Sequence, residues 1–208
     1  MEDITQNSQS APKKTGDKKE NGDHRTTVLA YLHDLTYLLT GVLLIFLLLF
    51  RVVVVSGSSM NNTLIDGDYI LLLNNVFYGQ PKQGDIIVAS KQSFENGEPI
   101  IKRVIATEGQ TVRIEKINDS ESAVYVDDVL LDEPYLGTPT TNAYLCVTVD
   151  EGCIFVMGDN RQWSRDSRSA DIGQIDCREV LGKALFLFLP GQGKTNTPRD
   201  FNRVGGLS

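Results

Sequence analysis

The sequence predicts a mainly β domain, a partly closed antiparallel barrel, that is preceded by one transmembrane helix. Two observations predict this fold. The uncharged stretch LTYLLTGVLLIFLLLF covers residues 35–50, and the chain after it contains many short segments rich in β-branched and aromatic residues, separated by Gly, Asp, Asn or Pro. Short strands at close spacing are typical of sandwiches and barrels.

The apolar stretch is long enough to form most of a membrane span. Its sixteen residues would extend about 24 Å as a helix, whereas the hydrocarbon core is about 30 Å thick. Either residues 52–55, with Arg51 reaching the interface, or residues 28–32 can supply the rest. Because VSGSSM is a weak cleavage signature, we predict an uncleaved anchor at residues 28–55.

The basic residues that flank the anchor predict its orientation. Five Lys/Arg precede it, whereas Arg51 is followed by no basic residue before Lys82. Because Lys and Arg favour the cytoplasmic side, we expect a single-pass protein of the cell membrane with a cytoplasmic N-terminus and an extracytoplasmic main domain. The remaining segments are predicted to be a disordered cytoplasmic tail at 1–27, the exported β domain at 56–190 and a loose polar tail at 191–208.

Eight segments of the exported part are predicted to be strands. Each is short and apolar, with turn residues at its ends. Near IDCREVLG we expect one helical turn. The predicted strands are DYILLLNN, GDIIVAS, PIIKRVIAT, TVRIEKI, AVYVDDVLL, AYLCVTV, CIFVMG and KALFLFL.

The composition excludes several classes of function. The net charge of −7 argues against a nucleic-acid partner, because phosphate binding needs a basic face. The two histidines, His24 and His33, precede the apolar stretch, so the main domain has no Ser-His-Asp triad, no Cys-His pair and no His-ligated metal. Cys146, Cys153 and Cys177 show no metal-ligand spacing, and both one disulfide and three free thiols fit this count. We expect no cofactor and no metal.

The segment IIKRVIAT contains a candidate general base. Alternation along a strand places Lys102 and Arg103 on opposite faces, and both faces are otherwise apolar. Burial can lower the pKa of a lysine by several units, and a neutral amine is a competent base near neutral pH. The alternative is that both cations lie at a sheet edge and reach water.

The segment SGSSMNNTL at residues 56–64 supplies candidate nucleophiles. A serine hydroxyl needs a base, and without a histidine in the domain a lysine is the main candidate. The alternative is a polar loop that leaves the membrane.

The segment GDNRQWSRDSR at residues 158–168 is dense in charged side chains. It is either a solvated turn or a hydrogen-bonded support in which Ser164 contacts the active group and four charged side chains pair. These four are Asp159, Arg161, Asp166 and Arg168.

Together these segments resemble the type I signal peptidases of bacteria, in a single-span form like that of Gram-positive species. That family places an anchor before S/G-x-S-M-x-P-T-L, followed by G-D-I-V, K-R-V and G-D-N-R-x-x-S-x-D-S-R. This chain shows SGSSMNNTL, GDIIVAS, IIKRVIATEGQ and GDNRQWSRDSR in the same order, and then VLGKALFLFLP, which is similar to the closing strand of the family. The resemblance covers about residues 35–190.

The resemblance implies roles for individual residues. Ser59 would be the nucleophile, Lys102 the general base, and Ser164 the residue that orients the amine. The backbone N–H of Ser59 would be one oxyanion donor. The supporting ion-pair network would consist of Asp159, Arg161, Asp166 and Arg168.

The sequence departs from the family pattern near the serine. Some members carry a serine where this chain has Gly57, so the loop backbone or Ser58 is expected to supply the second oxyanion contact. Asn62 replaces the usual proline, which predicts a looser turn. After the lysine, ATEGQ departs from the usual G-x-P-G-D.

The resemblance implies a membrane serine endopeptidase that removes signal peptides from exported preproteins through a Ser-Lys dyad and an acyl-enzyme. The substrate would bind as an added β-strand. Eight residues from Arg51 to Ser59 span at most about 28 Å, which would place the site near the bilayer. Two alternatives are a serine-lysine autoprotease of the repressor type and a catalytically inactive, membrane-tethered peptide-binding domain.

Overall fold

The computed structural model describes residues 20–90, 97–140, 144–193 and 198–207. The chain forms two compact units, residues 1–45 and residues 46–208. Helix α1 (Glu20–Leu49) accounts for the described part of the first unit. Its segment Thr27–Leu49, with a mean hydropathy of 2.0, is the one helix among the described residues that is long and apolar enough to cross a membrane. At about 1.5 Å per residue it extends about 34 Å, which exceeds the hydrocarbon core.

The predicted limits of the anchor and of the N-terminal tail require correction. The helix ends at Leu49, and Phe50–Val54 forms strand β1, so residues 50–55 do not extend the anchor. Consecutive β-branched residues favour a strand, whereas residues 28–32 belong to the helix. Of the predicted disordered tail, residues 1–19 lie outside the described residues, and the last eight belong to α1, because extending a helix costs little once it has begun.

The second unit is built from two antiparallel sheets. In chain order, its elements after β1 are β2 (Tyr69–Asn74), α2 (Asn75–Tyr78), β3 (Ile86–Ala89), β4 (Ile100–Thr107), β5 (Thr111–Lys116), β6 (Ser122–Val126), β7 (Val129–Leu130), β8 (Leu145–Thr148), β9 (Cys153–Met157), β10 (Ile175–Asp176), a 3₁₀ turn (Cys177–Glu179), β11 (Val180–Leu189), a 3₁₀ turn (Phe201–Arg203) and β12 (Gly205–Gly206). The first turn confirms the helical turn expected near IDCREVLG.

The larger sheet has the strand order β1-β2-β11-β3-β4-β9-β10, with β12 on β11, and the smaller sheet has the order β7-β6-β5-β8. Register shifts interrupt the pairing of β11 with β2 and β3 and of β4 with β9, and such irregularities bend strands and increase their twist. The mainly β architecture with its curled antiparallel sheet confirms the predicted fold class.

Strands β3 and β4 are covered by apolar side chains on both faces. Ile87 and Val104 pack into one core cluster, Ile86 and Ile101 lie in or against a second, and Ile105 lies in a third. A strand buried on both faces reads as a continuous apolar run, which explains IIVA and IIKRVIAT. The same position forces Lys102 and Arg103 of β4 into the interior.

The turn before β3 is held by a polar cluster around Asp85. Its carboxylate accepts hydrogen bonds from the Tyr78 hydroxyl, from Lys183 Nζ at 2.5 Å and from Lys82 N at 2.9 Å. Burial opposes its charge, but these hydrogen bonds outweigh burial and lower the pKa of Asp85. Burial and the bond to Asp85 together raise the pKa of Tyr78. Because the pKa of Asp85 is lower in the folded chain, the stability that it contributes is lost as pH falls below about 4.

The segment AVYVDDVLL is not one strand, as predicted, but a hairpin of β6 and β7. Asp127 and Asp128 have φ values of 50° and 64°, and Val126 pairs with Val129 across them. Two consecutive residues with positive φ form a type I′ turn, which aspartate tolerates better than most side chains.

The prediction that residues 191–208 form a loose tail is wrong for residues 198–207. Residues 205–206 pair with β11, and Arg203 forms an ion pair with Asp68, which is fully buried, at 2.7 Å. The same carboxylate accepts hydrogen bonds from Ile65 N and Gly191 N. The Gly/Asn/Thr-rich composition of the segment gave no sign of this contact, because the buried partner of Arg203 lies 135 residues away in the sequence.

We expect Arg203→Ala to destabilise the second unit by about 3 kcal/mol, because it leaves a buried carboxylate without its cation. The measurement is denaturant unfolding of the full chain in a mild detergent. The control is Arg178→Ala, which removes the partner of Asp176 from a pair whose arginine is 91% exposed, and it should change the midpoint very little. Equal effects of the two variants would contradict the structural role of the Arg203 pair.

Candidate active site

The serine segment forms a compact loop between β1 and β2. Val55 N donates to Asp68 O at 2.8 Å and Gly67 N donates to Val55 O at 2.9 Å, which closes the loop at its base. A helical turn follows the serines, with Leu64 N donating to Met60 O at 2.8 Å. Met60 and Leu64 are buried in the core. The buried side chains of Met60 and Leu64 therefore anchor the loop to the core. Ser59 lies immediately before Met60 in the sequence.

Lys102 approaches the loop from the middle of β4. Its Nζ lies 2.8 Å from Ser59 Oγ and also donates to the carbonyl of Ile101 at 3.0 Å. Strand β4 and the serine loop are 43 residues apart along the chain, so only the tertiary fold brings the two groups together. In the neutral state of the amine, the same distance allows the hydroxyl to donate its proton to nitrogen.

The two adjacent cations of β4 are both buried, with Lys102 4% and Arg103 2% exposed. This burial excludes the alternative in which they lie at a sheet edge and reach water. Arg103 makes a bidentate contact with Asp159 at 2.9 and 2.8 Å, and its guanidinium stacks 3.9 Å from the Tyr135 ring centroid. Arginine keeps its charge and needs such a partner, whereas the lysine beside it can be neutral.

The segment at residues 158–168 contacts the serine loop through Asn160. Asn160 N donates to Ser59 O at 3.0 Å, and Asn160 Nδ2 donates to Ser58 O at 2.9 Å. Thr63 Oγ1 donates to Asp159 Oδ2 at 2.5 Å. Asn160 is a residue of the site whose role the motif pattern did not predict. The available signal was its place inside the quoted segment, which contains one asparagine.

The prediction that the four charged residues of this segment pair with one another is only partly right. Asp166 and Arg168 do form an ion pair at 2.7 Å. Asp159 pairs with Arg103 instead, and Arg161 pairs with Glu133 and donates to Thr140 Oγ1 at 2.7 Å. These partners lie 21 to 56 residues away in the sequence, and no local pattern predicts them.

Ser164 lies beside the serine loop at Gly158. A side chain at position 158 would overlap both Ser164 Oγ and the carbonyl oxygen of Ser59. Ser164 Oγ is buried and forms no hydrogen bond with any residue that the structure describes. The structure therefore brings Ser164 close to the serine loop and leaves its hydroxyl available.

The backbone donors of the loop differ in availability. Gly57, with φ of 94°, donates its N–H to Asp66 Oδ1 at 2.8 Å. Within the described part of the chain, the N–H groups of Ser58 and Ser59 take part in no hydrogen bond. A developing oxyanion can be stabilised by such unpaired N–H groups, so Ser58 and Ser59 are better candidates than Gly57.

Asn62 has φ of 88°, a conformation that the proline ring cannot adopt. The loop therefore departs from the family pattern in its backbone as well as in its sequence. Asparagine is one of the few side chains that tolerate positive φ, and the Asn62 side chain lies directly over Gly137, where a side chain would overlap it. The predicted loosening of the turn is thus offset by this close packing.

A cavity of about 590 Å³ opens over the pair formed by Ser59 and Lys102. Strand β1 and the serine loop form one wall, residues 98–101 form another, and Trp163 and Arg165 complete the lining. The described residues contain no group of three His, Cys, Asp or Glu side chains that could hold a metal ion. Among the described residues, Cys146, Cys153 and Cys177 form no disulfide.

A buried lysine amine in contact with a serine hydroxyl, at the base of a peptide-sized cavity, is the arrangement of serine hydrolases that use lysine in place of histidine. The sequence profile of a family described as signal peptidase, peptidase S26, matches residues 28–189. The chain therefore belongs to the S26 signal peptidase family, whose members are serine endopeptidases.

Several known proteins are similar to this chain. A signal peptidase I of Bacillus licheniformis is 36% identical over 159 residues, which cover 71% of this chain and 81% of the relative. Signal peptidase I T of Bacillus subtilis strain 168 is 32% identical over 202 residues, covering 90% and 96%. A crystal structure of a signal peptidase I from Enterococcus faecalis is 30% identical and covers 51% of this chain and 97% of its own, with a TM-score of 0.41. The family favours neither the autoprotease nor the inactive binding domain.

We expect Gly158→Ala to lower the rate of peptide cleavage about 100-fold while the chain still folds. The added methyl group would overlap Ser164 Oγ and the Ser59 carbonyl, so the serine loop must shift away from Lys102, and such displacements cost about 100-fold in rate. The measurement is the initial rate of precursor cleavage beside a thermal unfolding curve. The control is Gly205→Ala, where the new methyl group meets no atom within 4 Å. Full activity of Gly158→Ala would show that the loop tolerates displacement.

Proposed function

We propose that this chain is a membrane-bound serine endopeptidase that cleaves N-terminal signal peptides from exported preproteins, with Ser59 as nucleophile and Lys102 as general base. The observation that carries the proposal is the 2.8 Å contact between Ser59 Oγ and Lys102 Nζ at a buried position. The family match supports the substrate class, and the absence of histidine from residues 52–208 leaves lysine as the base.

In the first half of the reaction, Lys102 takes the proton of Ser59 while Oγ attacks the carbonyl carbon of the scissile bond. The resulting oxyanion accepts hydrogen bonds from the unpaired N–H groups of Ser58 and Ser59. Lys102 then gives its proton to the leaving amine, the C–N bond breaks, and the mature protein departs. The signal peptide remains bound to Ser59 as an ester.

In the second half, Lys102 takes a proton from water, whose oxygen attacks the ester carbonyl. Collapse of this second intermediate breaks the bond to Ser59 Oγ, and Lys102 returns its proton to that oxygen. Ser164 would orient the amine, because its buried hydroxyl next to Gly158 is available. The charged residues Asp159, Arg161, Asp166 and Arg168 would support the site by fixing the segment that holds Asn160.

We propose that the substrate binds as an added strand along the wall of the cavity formed by β1. Side chains alternate along a strand, so the residues one and three positions before the cleavage point face the same side. Val53, Val88 and Ile101 line the cavity, and they would form shallow apolar pockets that accept small side chains.

We also propose that α1 crosses the bilayer with the N-terminus on the cytoplasmic side. The apolar segment Thr27–Leu49 and the excess of Lys/Arg before it support this orientation. Proteolysis of intact cells whose outer membrane face is accessible tests it: a protease added outside should digest residues 50–208 and spare the N-terminal tail. Protection of residues 50–208 from the protease would contradict the proposed orientation.

The function is tested by incubating the purified full chain in detergent with a preprotein that carries a signal peptide. We expect one cut, after a small residue, identified by sequencing the N-terminus of the product. A chain that binds the precursor without cutting it would instead support the inactive peptide-binding domain.

We expect Ser59→Ala to abolish this cleavage, because it removes the hydroxyl that lies 2.8 Å from Lys102 Nζ. Ser56→Ala and Ser58→Ala should retain most of the activity, since the proposed oxyanion donor of Ser58 is its backbone N–H. Rates of precursor cleavage distinguish these cases. If Ser58→Ala were as inactive as Ser59→Ala, the hydroxyl of Ser58 would be part of the site.

We expect Lys102→Met to abolish cleavage without lowering stability at pH 7. The Lys102 side chain is 4% exposed, and methionine keeps the length and the apolar stem of lysine while it removes the amine, so the packing around the stem is retained. Denaturant unfolding at pH 7 measures the stability of both chains. A variant that is much less stable at pH 7 would mean that Lys102 acts as a structural cation.

A further inference from the structure

Trp163 lies at the opening of the active-site cavity and has no role in the reaction described above. Its side chain is 76% exposed and lines the cavity beside Arg165. The backbone N–H of Trp163 donates to Asn160 O at 3.0 Å, and the backbone N–H of Asn160 donates to Ser59 O at 3.0 Å. The backbone of Trp163 is therefore held at a fixed place relative to the nucleophile, and most of the apolar surface of its indole faces water.

The other described walls of the cavity are already assigned to the substrate residues before the cleavage point. Residues 53–56 and 99–101 lead directly to Ser59 and Lys102 along β1 and β4. Val88 pairs with Ile101 across β3 and β4, so it belongs to the same wall. Of the described lining residues outside the serine loop, Trp163 and Arg165 come from a different part of the chain. The substrate must continue past Ser59, and this is the wall left for it.

We propose that Trp163 is a specificity residue that packs against an apolar side chain at the first or second position after the cleavage point. The proposal rests on the proposed signal peptidase function and adds recognition of the mature end of the preprotein. An exposed indole gains much apolar contact area at a low cost in side-chain entropy. Arg165 forms an ion pair with Asp171 at 2.5 Å, so its charge is balanced and the wall favours an apolar residue over an acidic one.

The chain contains a single tryptophan, so intrinsic fluorescence reports on Trp163 alone. The full chain carrying Ser59→Ala, in detergent and in lipid vesicles, is titrated with two peptides. One spans the cleavage point, with alanine at the first and third positions before it and leucine at the second position after it. The other ends at the cleavage point. Competition with cleavage by the unmodified chain establishes that both peptides bind.

We expect the spanning peptide to shift the emission to shorter wavelength and to protect the indole from acrylamide, and the truncated peptide to leave both signals unchanged. The matched control is a double variant, Trp163→Phe with Tyr144→Trp. Its single tryptophan lies at a position that is 82% exposed and outside the cavity lining. Neither peptide should change its emission.

Three results would overturn the proposal. Equal responses to both peptides would place Trp163 against the residues before the cleavage point. Unchanged emission and unchanged acrylamide quenching at saturating peptide would show that Trp163 does not contact the substrate. A signal that is already shifted and protected in vesicles before any peptide is added would assign the indole to the lipid. The unmodified chain still cleaves the spanning peptide in all three cases, whereas failure to cleave it would reject the proposed function itself.

Kinetics provide a second readout. We expect Trp163→Ala to raise KM about tenfold for the leucine peptide, which is typical for loss of an aromatic contact at an interface, and to change KM much less when glycine replaces the leucine. Trp163→Phe should recover most of the loss, and Tyr144→Ala should behave as the unmodified chain. Equal losses on the leucine and glycine peptides would contradict a role in recognition.

Discussion

The buried ion pair between Arg103 and Asp159 is the interaction on which the rest of the site depends. Its two residues lie 56 positions apart, and their bidentate contact holds the segment that begins at Gly158 against β4. The same carboxylate accepts a hydrogen bond from Thr63 of the serine loop. A buried carboxylate that lost its cation would cost several kcal/mol, so three separate parts of the chain are kept together around one charge pair.

This pair also determines what the neighbouring lysine can do. Arg103 and Lys102 leave β4 on opposite faces, and Arg103 uses Asp159 to keep its charge in the interior. Lys102 instead places its Nζ 2.8 Å from Ser59 Oγ and 3.0 Å from the Ile101 carbonyl oxygen, where it can exchange a proton with the hydroxyl. Two adjacent cations on one strand thus acquire different chemistry from their surroundings.

Local sequence patterns predicted the strands and the order of the functional segments, because strand alternation and apolar runs are properties of neighbouring residues. They failed where a distant partner decides the outcome. Residues 50–54 look like the end of an apolar span until β2 pairs with them, and the C-terminal residues look loose until Arg203 meets Asp68. Likewise, Glu133 and Arg103 were missed as partners of Arg161 and Asp159. The Asp127–Asp128 hairpin is different, since its turn signal was present in the sequence and the strand pattern around it was given more weight.

The backbone geometry explains how the loop can do without a serine at position 57. The carbonyl of Ser58 accepts a hydrogen bond from Asn160 Nδ2, and because this carbonyl shares a peptide group with the Ser59 N–H, the bond fixes the direction of that N–H. An N–H held in this way costs no reorganisation when charge develops, whereas a hydroxyl must be ordered for the same purpose. We therefore expect both oxyanion contacts to come from the peptide backbone, with the Ser59 N–H positioned by Asn160 and the Ser58 N–H as the second donor.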